Sequence, residues 1–271
     1  MDEQKILRMA REMRKKILQA SFACNTSAHL GGGLSIVDIL ATLYGAVLKY
    51  DTNNPGWQDR DRFILSKGHG ALGLYSALSE AGFISDSVFA SFQTNESDLT
   101  GHPVMNIPLG IESSNGSLGH GLALAIGLAI AARKKNMTHN IYVLLGNGEC
   151  NEGSVWEGVM AASQFRLDNL IAIVDNNHYQ SDGESERIMN IGDFTRKWES
   201  FGWNAISVDG HDIKQLYDGF SNHDSTGRPK AVIANTIKGK GVSFMENNND
   251  WHHNRLTKIN FEKALQEMGD E

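Results

Sequence analysis

Two polar loops stand out by residue type and spacing. Gly146-Asn147-Gly148-Glu149-Cys150-Asn151-Glu152-Gly153 follows the apolar run 141–145, and Asp175-Asn176-Asn177-His178-Tyr179-Gln180-Ser181-Asp182-Gly183 follows the run 170–174. Gly146 and Gly148 around a polar residue permit a tight turn and a close ligand approach. A helix starting near Glu152 would turn its positive end toward an anion such as phosphate. The loop is not the dinucleotide fingerprint, because position 151 is Asn, and not a P-loop, because no Gly-Lys-Ser/Thr follows. Asn177 lies 30 residues beyond Asn147. Adjacent parallel strands would set the two loops side by side. Side-chain oxygens from each, with a backbone carbonyl, could then hold a hard divalent cation against a diphosphate. Taken singly, each loop also reads as an ordinary turn.

The ten histidines form no zinc spacing, and the neighbours His252 and His253 are poorly placed to chelate one ion. Imidazole titrates near neutral pH, which suits proton transfer at sugar hydroxyls and enolates. His139 and His223 read as surface or satisfied core residues, and His211, after Gly210, as structural. The balance of Lys+Arg 25 against Asp+Glu 32 gives a net charge of −7, which argues against nucleic acid as the main partner. Two cysteines, Cys24 and Cys150, make no disulfide framework and point to a reduced compartment. The charged N-terminus carries no apolar signal core. The stretch 121–132 is uncharged and apolar but too short to span a bilayer, so it reads as a buried helix. A cytoplasmic protein without membrane insertion is expected.

These residues must be positioned by regular elements. Ile6, Met9, Met13, Ile17 and Phe22 have helical spacing, and Ser35 with Asp38 reads as a cap for a helix through Ile39, Leu43 and Val47. Apolar runs at 141–145, 170–174, 205–208 and 231–235 read as strands, and 62–66 is a further short apolar piece. Helices are expected after Gly70 and over about 152–166, 192–201 and 212–222. Strands without alternation, separated by helices, predict an α/β fold: a mostly parallel sheet flanked by helices on both faces. A single domain, 1–271, with a helical N-terminal region is expected. In such sheets ligands sit at the carboxyl ends of the strands.

The Gly-Asn-Gly loop followed thirty residues later by Asn resembles the signature of thiamine diphosphate enzymes, and most closely the transketolase family. Leu65-Ser-Lys-Gly-His69-Gly, Thr100-Gly-His102-Pro, Gly116-Ser-Leu-Gly-His-Gly121, Glu152-Gly-Ser-Val-Trp-Glu157 and Lys238-Gly-Lys-Gly-Val-Ser-Phe-Met-Glu-Asn247 look like family blocks, covering nearly the whole chain. The resemblance implies the N-terminal, diphosphate-binding subunit of a split transketolase. It would transfer a two-carbon ketol unit from a ketose to an aldose acceptor. A separate C-terminal subunit would carry the pyrimidine-binding domain, in an α2β2 heterotetramer. Thiamine diphosphate is the implied cofactor, with Mg2+ (or Ca2+/Mn2+) held by Asn147, Asn177 and the Tyr179 carbonyl. Gly146, Gly148 and Glu149 would lie by the diphosphate, and Gly116 and Leu118 along the aminopyrimidine. His69 and His252 match histidines near the diphosphate and reacting centre, His29 and His102 those that contact the sugar. Glu152 resembles an acid that couples two cofactor sites through the subunit interface.

Asn147 stands where the family carries Asp. The carboxamide can still ligate the cation, but one negative charge is missing, so affinity for a hard cation should fall unless Glu149 or Asp175 compensates. His120, His253, Asn254, Ala28 and Asn115 also depart from the pattern. They leave two readings open: a less usual sugar, or delivery of the unit to a carrier, against drift without effect. A degenerate, non-catalytic assembly subunit is the remaining alternative.

Overall fold

The computed structural model describes residues 1–222 and 226–269; His223 lies outside them. The chain opens with α1 (Glu3–Ala23), whose N-terminus is capped by Asp2 accepting the Lys5 N–H at 3.0 Å. Ile6, Ala10, Met13 and Ile17 form its buried stripe. A short strand β1 (Ser27–Ala28) leads into α2 (Leu30–Leu34) and α3 (Val37–Thr42), which continues as a π turn over Leu43–Val47. The expected cap at Ser35 is not formed. Ser35 closes α2, and its hydroxyl donates to Gly32 O and Asp175, while Asp38 takes Arg14 and His211 at 2.6 and 2.7 Å. Long-range buried partners claim both side chains, so local capping loses. The segment Leu30–Val47 is apolar and long enough by composition to cross a membrane, yet 83% of it is buried inside the fold.

Next come β2 (Arg62–Leu65), α4 (Ala71–Ala81), α5 (Asp86–Phe89), α6 (Gly121–Lys134) and β3 (Ile141–Gly146). They are followed by α7 (Gly153–Gln164), β4 (Leu170–Asn176), α8 (Ser185–Ile188), α9 (Phe194–Ser200) and β5 (Asn204–Asp209). The chain continues with α10 (Ile213–Ser221), β6 (Lys230–Asn235), β7 (Asn254–Arg255) and α11 (Lys258–Gly269). One sheet runs in the order β2-β3-β4-β6-β5 with every pairing parallel. Alternate residues of each strand enter opposite cores. Phe63, Tyr142, Leu144, Ile171 and Ile173 join α1, α3, α4 and α10 on one face; Ile64, Val143, Leu145, Ala172 and Val174 join α6, α7 and α9 on the other. This is the expected sheet covered on both faces.

One helix differs from expectation. On α6, Leu122, Ala125, Ile126 and Ala129 are buried against the sheet, but Ala123, Leu124, Gly127 and Ala131 are exposed. The uncharged part of this helix, 121–132, therefore presents an open apolar face. Away from the sheet, β1 and β7 pair antiparallel, Ser27 opposite Arg255 and Ala28 opposite Asn254. This ladder brings His29 beside the 252–253 segment.

Candidate active site

The cleft lies where the strand order places β2, β3, β4 and β6 side by side, at their carboxyl ends. It encloses about 360 Å³ and is lined by His29, His69, His102, Gly116, Leu118, Gly146, Asn147, Gly148, Glu149, Glu152, Asn177, Tyr179 and His252. Every site residue singled out in the sequence thus meets in one place. A larger cleft, about 600 Å³, opens between α1 and α11. Its main charges are already paired, Arg14 with Asp38 and Lys240 with Glu246, and it misses the strand ends.

Asp175, fully buried at the end of β4, organises the floor. Its carboxylate accepts from Ser35 Oγ (2.8 Å), Lys67 Nζ (2.5 Å), Asn177 Nδ2 (2.9 Å) and Thr236 Oγ1. Burying a carboxylate is costly unless such partners replace its water. Glu149 is likewise engaged: it accepts from Ser66 Oγ at 2.5 Å, the Gly119 amide at 2.9 Å and the Gly146 amide at 3.0 Å. Burial pushes its carboxyl above the ordinary range, and these hydrogen bonds oppose the shift. Neither acid therefore stands free to make up the charge missing at Asn147. Both pin the loops instead.

Asn147 is buried, and its amide nitrogen donates to Ser185 Oγ at 2.7 Å. Asn177 donates its amide nitrogen to Asp175 and accepts the Tyr179 N–H at 3.1 Å, with His178 held at φ 64° between them. A carboxylate only accepts, so the Asn177 oxygen is fixed by elimination. Gly148 needs its missing side chain: a Cβ there would sit 2.8 Å from Gln180 Cγ. Glu152 is exposed at the start of α7, and Leu118 is 36% exposed at the mouth.

The histidines converge. The His29 ring lies 5.5 Å from His69, 5.7 Å from His102 and 5.4 Å from His252, centroid to centroid. His253 packs closer still, at 4.4 Å, by the β1–β7 ladder. Burial, then the neighbouring imidazoles and Lys67, hold His29 down to about 3. Burial, then Lys238, holds His252 down to about 4. Burial and Lys67 lower His69 well below its ordinary value. All three are neutral at pH 7, so each ring offers one hydrogen-bond donor and one acceptor. His211 is structural as expected: its Nδ1 pairs with Asp38 and its Nε2 accepts the Ile237 N–H at 2.8 Å. His139 is buried, but its Nδ1 has no protein partner, so it is not a satisfied core residue.

Sequence reasoning assigned no role to two lysines. Lys67 donates to Asp175 and to Gly32 O at 3.0 Å. Lys238 donates to Asn249 Oδ1 at 2.6 Å and Gln180 O at 3.1 Å, meets His252 Nδ1 at 3.1 Å, and is lowered to about 8 by burial and then by Lys67. Each stands in a block that carried the family resemblance, which was the available signal. The set suits a diphosphate with a hard cation: two amide oxygens, a carbonyl, a glycine approach and a buried ammonium.

Residues 8–271 match the family described as the transketolase thiamine diphosphate binding domain. The chain is 42% identical, over 97% of its length and 95% of the relative's, to one subunit of the apulose-4-phosphate transketolase of Actinobacillus succinogenes. It is 38% identical, over 90% and 89%, to the SqwG subunit of the 6-deoxy-6-sulfo-D-fructose transketolase of a Clostridium species. Among solved structures, the transketolase of Campylobacter jejuni superposes with TM-score 0.90 at 30% identity, over 99% of this chain. The chain spans 43% of that protein's length. From the cleft, the sheet order and these matches together, the chain belongs to the transketolase family, through its thiamine diphosphate-binding domain.

Proposed function

We propose that this chain is the N-terminal subunit of a two-subunit, cytoplasmic transketolase. It moves a two-carbon ketol unit from a ketose donor to an aldose acceptor, with a separate subunit supplying the pyrimidine-binding half in an α2β2 assembly. The observation that carries this reading is the group of neutral imidazoles set over a cleft floored by two oriented amides. The relatives that are themselves named as transketolase subunits, and whose length this chain nearly matches, support the split organisation.

Thiamine diphosphate, when bound, supplies the carbanion-stabilising chemistry. Asn147, Asn177 and the Tyr179 carbonyl would hold Mg2+ (or Ca2+/Mn2+), and Gly146 and Gly148 would admit the diphosphate against the backbone. His29, His69 and His252 rest unprotonated and accept hydrogen bonds from sugar hydroxyls; His102, exposed at the rim, orients the sugar by hydrogen bonding. Glu152 faces the mouth, where a partner's residue would meet it.

The names of the relatives and the extra imidazole of His253 against His29 favour a less usual ketose as donor. Copurification with the partner subunit, then a ketol-transfer assay over a donor panel, tests both points. Turnover is expected only with the partner present, and highest on a modified ketose. Turnover by the isolated chain contradicts the split reading. No turnover with any donor, despite bound cofactor, favours a non-catalytic assembly subunit.

A further inference from the structure

On this reading, the protein donors to the cation are two carboxamide oxygens and a backbone carbonyl, and none carries a charge. Asp175, which only accepts, orients Asn177 through its nitrogen at 2.9 Å, and the Asn147 nitrogen donates to Ser185 at 2.7 Å; the oxygens remain as donors to a cation, the Asn177 oxygen with one lone pair already taken by the Tyr179 N–H. The buried acids beneath them contribute no spare charge. Lys67 neutralises Asp175 at 2.5 Å, and the Glu149 carboxylate is engaged by Ser66 and two backbone amides. Among the described residues, no three His, Cys, Asp or Glu side chains are grouped to hold a metal. Of the other charges lining the cleft, Lys238 repels a bare cation and the Glu152 carboxylate is exposed at the mouth.

We propose that this site does not take up a divalent cation alone. It accepts the cation only together with the diphosphate, and Asn147 is the residue that sets this order. A hard cation releases its water reluctantly and only to strong oxygen donors. Neutral amides do not supply that field; the diphosphate oxygens bring the missing negative charge. A carboxylate at position 147 would add one charge in direct contact and permit the cation to bind first. Ser185 accommodates the change, because its hydroxyl can reverse and donate to a carboxylate.

The inference rests on the cofactor reading above, and Mn2+ separates the two. Free Mn2+ is measured by electron paramagnetic resonance with the full chain and its partner subunit, as wild type and Asn147→Asp, with and without thiamine diphosphate. Wild type should leave free Mn2+ unchanged by itself and take it up stoichiometrically once thiamine diphosphate is added. Asn147→Asp should bind Mn2+ alone at least about tenfold more tightly than wild type. Equal binding of Mn2+ alone by both proteins overturns the proposal. Failure of both to retain thiamine diphosphate at any Mn2+ concentration overturns the cofactor reading itself.

Discussion

The imidazole group has a thermodynamic signature. His29 and His252 fall to about 3 and about 4 from 6.5, and His69 falls in the same direction. Below pH 6.5 the unfolded chain takes up protons that the folded chain refuses, so stability present above 6.5 is lost as pH falls toward about 4 and then 3. The melting temperature of wild type should therefore drop steadily between pH 6.5 and pH 4. His29→Gln should flatten that drop, since it removes one refusing group and relieves its neighbours. Identical slopes in thermal scans of the two proteins would contradict the shifts. At this scale the sequence disclosed much: spacing found the amide loops and the resemblance found four histidines. The roles of Lys67 and Lys238 were not visible, because each depends on a partner brought in by the fold, Asp175 for Lys67 and Gln180 for Lys238.

Elements were legible where hydrophobicity alone decides them. The strands read out from 141, 170, 205 and 231 appear within a residue or so at each start, since a strand buried on both faces must be apolar throughout. The Ser35 cap was misread because capping residues look alike in sequence whether they serve the local turn or a distant carboxylate. The buried reading of 121–132 was half right, because composition does not reveal which face of an apolar helix is covered. The entry to that same helix offers a test. A Cβ on Gly121 would fall 2.4 Å from Ser66 Cβ, displacing the serine that holds Glu149. Gly121→Ala should cost about 1–3 kcal/mol in urea unfolding and disturb the loop over the cofactor cleft. A variant as stable as wild type would show that Ser66 can yield.

Across the whole molecule, one carboxylate joins what the chain order separates. Asp175 is bonded to Ser35 of the N-terminal helical region, Lys67 after β2, Asn177 after β4 and Thr236 after β6. Asp175→Asn leaves the Lys67 ammonium buried without its counter-charge, and should lower global stability by about 3–5 kcal/mol, measured by denaturant unfolding. A loss no larger than that of a surface substitution would remove Asp175 from this role. The same knot divides the molecule by rate of opening. The backbone amide of Asn147, bonded to the Asp175 carbonyl at 3.1 Å, should exchange its hydrogen only through global unfolding. The rim segments around 100–119 and 178–192, which reach the floor through few bonds, Gly119 to Glu149 and Ser185 to Asn147 among them, should open more often. Ligand capture would then be a closing of the rim over a floor that is already set.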